Sequence, residues 1–253
     1  MFASLGRRLA QFLVLLSAFS LAATPARAMT VSPVVVNLTT SGRGMTQTIS
    51  VENTFSVPLP VELRVEELRA DANGFTGTGV ESNDLLIFPP QAMIQPGQTQ
   101  SFRVQYVGDP ALARSKHYYV TIAQLPVQRP EGAPAIQVLY NFQVLVSVSP
   151  QGGEPALRID RVEAATTAEG APAAAITVTN TSNSHGYLSN GRLRIVQRDA
   201  AGRRLAEKVL AGSEIQQTIG YGLLAGGQSR RILVPIDQAH PGATIEAIFD
   251  ADD

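Results

Sequence analysis

From residue 29 onward, most of the chain alternates between apolar and polar residues with a period of two. Successive side chains of a β-strand point to opposite faces, so this period indicates strands with one buried face. Gly, Pro, Asn or Asp bound the runs, as is typical of strand ends. The predicted strands are Thr46–Val51, Val61–Val65, Phe102–Tyr106, Tyr119–Ile122, Ile136–Val148, Ala174–Val178, Leu193–Val196, Arg231–Ile236 and Thr244–Phe249.

No stretch of 12 or more residues repeats its apolar positions with the helical period of 3.6. The nearest is Ala200–Ile215, where Leu205, Val209 and Leu210 could share one helix face. Because Gly202 and Gly212 lie near its two ends, we predict a hairpin there instead of a helix.

A weak internal repeat divides the chain into halves. Val51–Thr54 reads Val-Glu-Asn-Thr and Val178–Thr181 reads Val-Thr-Asn-Thr. Gln98 follows the first Asn by 45 positions, and Gln228 follows the second by 48. Two copies of about 100 residues with short, evenly spaced strands predict an all-β protein of two immunoglobulin-like β-sandwich domains. The alternative is coincidence, since Asn-Thr and Gly-Gln turns are common.

The segment Pro150–Pro155 contains two prolines and two glycines, which cannot continue a central strand. We therefore predict a first domain at residues 29–149, a short linker at 150–155 and a second domain at 156–253. A linker this short would hold the domains at a restricted angle.

Residues 1–28 have the pattern of a cleaved secretory signal. Arg7 and Arg8 precede the uncharged run Leu9–Ala23, and Ala26-Arg27-Ala28 fits the cleavage pattern. The alternative, a membrane anchor, needs about 20 apolar residues, and this run is shorter. We expect a protein exported to the periplasm, with no membrane insertion after cleavage.

Composition excludes several classes. The chain has 253 residues, is 44% hydrophobic, contains no cysteine and carries a formal charge of −1. It is too apolar for a disordered chain, has no thiol chemistry and has no positive field to attract nucleic acid. The three histidines are scattered without metal-ligand spacing, and no G-x-S-x-G motif occurs. We expect a non-enzyme with no cofactor and no metal.

The run Ile136–Ser149 is the most informative segment. Its even positions are all apolar, whereas its odd positions are mixed. As one strand it would span about 46 Å, well beyond the usual five or six residues. An apolar strand of this length either lies at an edge, where a partner strand can pair with it, or is a long central strand buried in its own domain. Periodicity alone leaves both open.

Several segments, in order, resemble those of the periplasmic pilus-assembly chaperones of the chaperone–usher (PapD-like) family, from about Thr30 to the C-terminus. Met29–Leu38 is similar to the family's first strand and Ile49–Thr54 to its second. Leu86–Val104 resembles the F-x-P-P…L-x-P-G-x-x-Q-x-x-R-V stretch, and Tyr118–Pro126 resembles the sixth strand.

The resemblance implies a mechanism. Such chaperones bind pilus or fimbrial subunits that lack their last immunoglobulin strand, donate a strand of their own and deliver the subunit to an outer-membrane usher. The residues that match this donor strand are Ile136, Val138, Tyr140, Phe142 and Val144. A different class remains as the alternative: an exported tandem immunoglobulin-like structural or adhesive module.

The chain departs from the family where the family binds the subunit's terminal carboxylate. Neither Thr30–Thr40 nor Ile136–Pro150 contains Lys or Arg, and Ser115-Lys116-His117 replaces an acidic signature. The anchor is therefore unknown. Possible substitutes are Arg103, Arg114, Lys116 and Arg129, each of which can equally be a solvated surface cation.

Overall fold

A computed structural model describes residues 29–126 and 138–252. The predicted signal at 1–28 lies outside these residues. The strands of the first half are β1 (Met29–Ser32), β2 (Val35–Thr39), β3 (Thr46–Asn53), β4 (Leu59–Asp71), β5 (Gly74–Glu81), β6 (Leu85–Phe88), β7 (Gln91–Ile94), β8 (Thr99–Tyr106), β9 (Lys116–Gln124) and β10 (Asn141–Ser149). A short 3-10 helix, Gly42–Met45, lies between β2 and β3.

These strands form two sheets packed face to face. One sheet has the order β1-β3-β8-β6, and the other has the order β2-β10-β9-β4-β5, with β7 also pairing β4. The pairing of β2 with β10 is parallel, whereas the other pairs are antiparallel. Alternate residues of each strand point between the sheets, which buries Ile49, Phe102, Tyr118 and Val146 in one core.

The second half repeats this arrangement. Its strands are β11 (Leu157–Thr166), β12 (Pro172–Asn180), β13 (Gly186–Tyr187), β14 (Gly191–Arg198), β15 (Arg204–Leu210), β16 (Leu223–Leu224), β17 (Ser229–Pro235) and β18 (Thr244–Ala251). They form sheets with the orders β11-β12-β17 and β15-β14-β18, and a small pair, β13-β16. Ile176, Leu193 and Val234 lie in a separate core. The all-β fold of two immunoglobulin-like sandwiches is confirmed.

The internal repeat has a physical basis in two buried asparagines. The Asn53 N–H donates to the Gln98 carbonyl (3.0 Å), and the Asn180 N–H donates to the Gln228 carbonyl (2.9 Å). The Asn53 amide also donates to the carbonyls of Val57 and Ile94. In the second half the Asn180 amide donates to the carbonyls of Ser184 and Leu224. Each asparagine therefore ties a turn to the sandwich at the same place in its domain.

The prediction of a strand at Ile136–Val148 is wrong at its start, as the described residues from Val138 onward show. The strand begins at Asn141, and Val138–Tyr140 lie outside it. β9 ends at Gln124, and its register with β10 begins at Ala123 opposite Asn141. The last residue of β9, Gln124, bonds to the Tyr140 carbonyl, and no described strand continues beside the chain before Tyr140, so the ladder ends there.

The predicted hairpin at Ala200–Ile215 is right for its first part only. β14 and β15 pair antiparallel across a turn, and helix α1 (Gly212–Ile219) follows. The Glu214 carboxylate accepts the Ala211 N–H (2.8 Å) at the start of the helix, and Ile215 is buried in the second core. At eight residues, α1 is too short for its period to stand out in the sequence.

Candidate functional site

An exposed apolar segment, Val138–Tyr140, precedes β10. Val138 is 63% exposed and Tyr140 is 39% exposed. The backbone of Tyr140 is held from one side, since its carbonyl accepts the Gln124 N–H (2.9 Å) and its N–H donates to the Gln124 side chain (3.2 Å). The Tyr140 ring lies 5.8 Å from that of Phe55. The segment is therefore anchored at one end while its apolar side chains face solvent.

The apolar even positions then turn into the core. Phe142 is half-buried and packs against the first core, and Val144, Val146 and Val148 are fully buried. The strand thus changes from an exposed apolar surface to a core strand within about four residues. Val144 belongs to the chain's own core, and Ile136 lies outside the described residues.

One edge of β10 is open over its first four residues. β9 pairs with β10 from Asn141 onward, but the register with β2 begins only at Leu145 opposite Val35. Among the described residues, no strand pairs with 141–144 on the β2 side. This leaves a short unpaired edge beside the exposed apolar segment.

The direction of the hydrogen bonds shows which backbone groups face the open edge. The Tyr140 carbonyl accepts from β9, whereas the Leu145 N–H donates to the Val34 carbonyl (3.0 Å) on the β2 side. Since backbone groups alternate direction along a strand, the N–H and C=O of Asn141 and Gln143 point to the β2 side, where no strand of the described residues stands. An added strand could bond to these groups.

Three of the four suggested basic residues lie in the described part of the chain. Arg103 is exposed on β8 and donates to the Gln105 side chain (3.1 Å). Lys116 lies 2.9 Å from Asp84 and 3.6 Å from Glu67, and the hydrogen bond to Asp84 raises the pKa of Lys116. Arg114 is exposed, with its guanidinium beside Gly227. Arg129 lies outside the described residues.

Sequence reasoning missed a different cation, Arg230 of β17. Arg230 and Leu145 line a cleft between the two domains. Its other main lining residues are Phe75, Tyr119, Tyr221 and Leu223, three of which are aromatic. The Arg230 Nη1 donates to the Leu223 carbonyl (3.0 Å), and its buried Nε has no hydrogen-bond partner among the described residues. Burial lowers the pKa of Arg230, but a guanidinium stays charged.

The cleft is about 230 Å³ in volume and combines one guanidinium with tyrosine and phenylalanine rings. No acidic residue of the described chain forms an ion pair with Arg230. The charge of Asp71 acts on Arg230 without forming an ion pair with it, so the half-buried guanidinium can still bind an anionic group.

No helix in the described part of the chain has both the length and the apolar character needed to span a bilayer. Two surfaces are candidates for binding: residues 138–144 and the interdomain cleft. Leu145 belongs to both regions, because it lines the cleft and directly follows the open edge of β10.

Comparison with known proteins points to one family. A model described as "Pili and flagellar-assembly chaperone, PapD N-terminal domain" matches residues 28–154. No curated protein sequence shows a significant match.

Solved structures share the fold. The class 5 fimbriae chaperone CfaA has a TM-score of 0.52 at 11% identity, covering 87% of this chain and 98% of its own. The YadV chaperone has a TM-score of 0.52 at 14% identity, covering 87% and 91%. A chaperone–tip adhesin complex from CFA/I fimbriae biogenesis has a TM-score of 0.51 at 11% identity, covering 87% and 98%. At these identities the likeness concerns the fold.

Proposed function

The chain belongs to the family of pili and flagellar-assembly chaperones, and from this premise we propose that it binds pilus or fimbrial subunits by lending them a β-strand. The observation that carries the proposal is the open edge of β10 beside the exposed segment Val138–Tyr140. Backbone pairing at that edge would supply affinity, and the apolar side chains would fill pockets of the subunit.

The donor set follows the even positions. Val138 and Tyr140 are exposed and Phe142 is at the boundary of the core. Ile136 stays a prediction outside the described residues. Val144 could serve as a donor only by leaving the core, so we place the inner end of the donated segment at Phe142.

The exposed donors call for a groove of a particular shape. Tyr140 and Phe142 are bulky rings two residues apart, so their side chains would enter the same face of the partner. Each fully buried ring contributes about 1.5–3 kcal/mol of favourable transfer free energy. A matching subunit therefore needs two deep neighbouring pockets.

Arg230 is our proposed anchor for the terminal carboxylate that the family resemblance implies. It has no ion-pair partner among the described residues and shares its cleft with Leu145, the residue at which the open edge of β10 ends. A subunit strand bonded along 141–144 would end its path near this cleft. A guanidinium binds a carboxylate through two parallel hydrogen bonds.

The remaining parts of the proposal rest on the family and on the sequence pattern. They are export to the periplasm through cleavage after residue 28, delivery of subunits to an outer-membrane usher, and action without catalysis or cofactor. We propose domain limits of 29–149 and 156–253. Each range contains one of the two hydrophobic cores. The family match favours this function over the structural or adhesive module.

Co-purification tests the proposal. The chain is tagged, expressed in its own organism and isolated with its bound proteins, which mass spectrometry identifies. We expect a small, exported, β-rich subunit in about a 1:1 ratio. Tyr140→Asp should abolish its recovery, whereas Leu205→Asp should retain it, because Leu205 is equally exposed (40%) but lies in the second domain. Equal recovery by both variants would contradict the proposed site.

A further inference from the structure

A polar cluster with two buried histidines lies between the two domains. His117 belongs to β9 in the first domain, and His185 directly precedes β13 in the second. His117 is 3% exposed and His185 is 9% exposed. The two rings lie 5.6 Å apart between centroids and are nearly perpendicular, at 86°.

Both ring nitrogens of His185 contact the first domain. Its Nδ1 lies 2.6 Å from the Ser149 Oγ of β10, and its Nε2 lies 2.9 Å from the Asn37 Oδ1 of β2. An amide oxygen only accepts hydrogen bonds, so Nε2 carries the proton and Nδ1 accepts from the Ser149 hydroxyl. In this arrangement the one donor and the one acceptor of the neutral imidazole are both hydrogen-bonded.

His117 is held by two hydroxyls of its own domain. Its Nδ1 lies 2.9 Å from the Ser147 Oγ and its Nε2 lies 3.4 Å from the Ser115 Oγ. The Phe75 ring packs against it at 4.8 Å. Tyr187 of the second domain completes the contact, since its hydroxyl donates to the Asn37 side chain (2.8 Å) and lies 3.3 Å from the Ser147 Oγ.

The charged groups around the cluster offer nothing to stabilise an imidazolium. Lys116 of β9 is turned toward Asp84 and Glu67, because neighbouring residues of a strand face opposite sides. Arg230 lies beside Gly74, next to Phe75, and adds positive charge. The Asp71 carboxylate acts on Arg230 and accepts the N–H groups of Asn73 and Gly74, and it makes no hydrogen bond to either imidazole.

The elements packed around the pair contribute neutral groups. Burial raises the pKa of Tyr187 to about 12, so its hydroxyl stays neutral, and Tyr221 packs against the Tyr187 ring. β2, β10 and the loop before β13 contribute Asn37, Ser147, Ser149 and Ser184. The described residues thus provide no carboxylate in contact with either ring.

Protonation is therefore costly while the domains are in contact. Burial, together with the nearby His185, lowers the pKa of His117 to about 3, and burial lowers the pKa of His185 to about 4. A solvent-exposed histidine has a pKa of about 6.5. The state in which the rings reach water takes up protons more readily, so acid favours it.

We propose that His117 and His185 form a pH-sensitive latch between the two domains, which holds while both imidazoles are neutral and releases when they take up protons. The latch does not depend on the proposed binding of subunits. It is full strength above about pH 6.5 and weakens as the pH falls toward 4, the range between the exposed and the buried pKa values.

The size of the effect follows from proton linkage. Lowering the pH from 7 to 5 raises the open-to-closed ratio by about 25-fold for one histidine whose pKa is 6.5 when exposed and far lower when buried. Two independent histidines multiply to about 600-fold. A latch that is closed in about 99% of molecules at pH 7 would then be mostly open at pH 5.

Interdomain fluorescence energy transfer measures the opening. The chain contains no cysteine, so Thr48→Cys in the first domain and Arg192→Cys in the second, both exposed, place one dye on each domain. Circular dichroism at the same pH values reports whether the β-sheets persist. We expect the transfer efficiency to change between pH 6.5 and 4.5 with the sheet signal intact.

Histidine variants in the same labelled background identify the groups responsible. The double variant His117→Gln/His185→Gln should lose the transition, and the matched control His240→Gln should keep it, since His240 lies outside the cluster. A transition that persists unchanged in the double variant, or one that coincides with loss of the sheet signal, would overturn the latch.

A second measurement uses the wild-type chain and therefore does not depend on whether a variant folds. The imidazole resonances of the three histidines in the wild-type chain are followed by NMR from pH 8 to 5. We expect His117 and His185 to stay neutral in the closed form and to exchange with an open form as the pH falls. Simple titration of both rings near pH 6.5 without any change in interdomain distance would contradict the proposal.

Discussion

Tyr140 and Val144 are four residues apart in the same alternating apolar set, yet the structure predicts opposite effects for their truncation. Val144 is fully buried, so Val144→Ala removes two methyl groups from a packed core and should lower the free energy of unfolding by about 2–3 kcal/mol. Tyr140 is 39% exposed, and its tilted ring contact with Phe55 contributes about 0.5–1.5 kcal/mol beyond the area that the ring buries. Because Tyr140→Ala leaves no cavity in the packed core, it should lower the free energy of unfolding less than Val144→Ala does.

The binding of a subunit should respond in the reverse order. Losing one buried ring of about 1.5–3 kcal/mol lowers the affinity about 10- to 100-fold in Tyr140→Ala. Urea unfolding followed by circular dichroism measures stability, and titration with the subunit recovered from co-purification measures affinity. If Tyr140→Ala destabilises the free chain as much as Val144→Ala does, the ring is buried in solution and the reasoning fails. Unchanged affinity would refute the donor role of Tyr140.

Three further predictions concern the asparagines, the cleft and an acidic residue. Asn53→Ala leaves buried backbone groups unpaired and should cost about 2–4 kcal/mol in urea unfolding, as should Asn180→Ala in the second domain; a loss below about 1 kcal/mol would contradict this reading of the repeat. Arg230→Met should weaken subunit binding about tenfold with little change in unfolding, and full affinity would mean that the carboxylate binds elsewhere. Burial opposes ionisation of Asp84, but hydrogen bonds from Tyr118 and Lys116 outweigh this effect and lower the pKa of Asp84. The ionised Asp84 therefore stabilises the fold above the ordinary carboxylate pKa, and this stabilisation is lost as the pH falls through the lowered pKa. Asp84→Asn should flatten this part of the pH dependence below pH 5, and an unchanged profile would contradict the assignment.

Much of the fold could be predicted because burial in a sandwich alternates with the strand period. β8 shows why: Phe102, Val104 and Tyr106 are buried while the residues between them face outward. The repeat was readable because each sandwich needs a buried amide at the same turn, which Asn53 and Asn180 provide.

The start of β10 could not be predicted, because it depends on where other strands end. Alternation continues back to Ile136 in the sequence, but pairing stops where β9 ends and where β2 has not yet begun. The apolar pattern therefore identified the segment but did not show which of its residues are exposed and which are buried. The exposed part and the buried part look identical in sequence.

The interdomain features were hidden for a similar reason. Asn37, Ser149 and His185 are far apart in the sequence, and only the docking of the two domains brings them together. The histidines show no metal-ligand spacing, which was the only pattern that sequence reasoning could test. Arg230 has the same parity on β17 as the buried Ile232 and Val234, and its guanidinium lies beside Gly74 of the first domain, a contact that only the docking of the two domains creates.

Residue-resolved hydrogen exchange at the β10 edge tests the central claim most directly. The amides of Asn141 and Gln143 face the open side, whereas the Leu145 amide is already bonded to the Val34 carbonyl. The account predicts fast exchange of the first two in the free chain and at least about a hundredfold slowing in the subunit complex, with little change at Leu145. Slow exchange of Asn141 and Gln143 in the free chain, or unchanged exchange in the complex, would contradict strand donation at this edge.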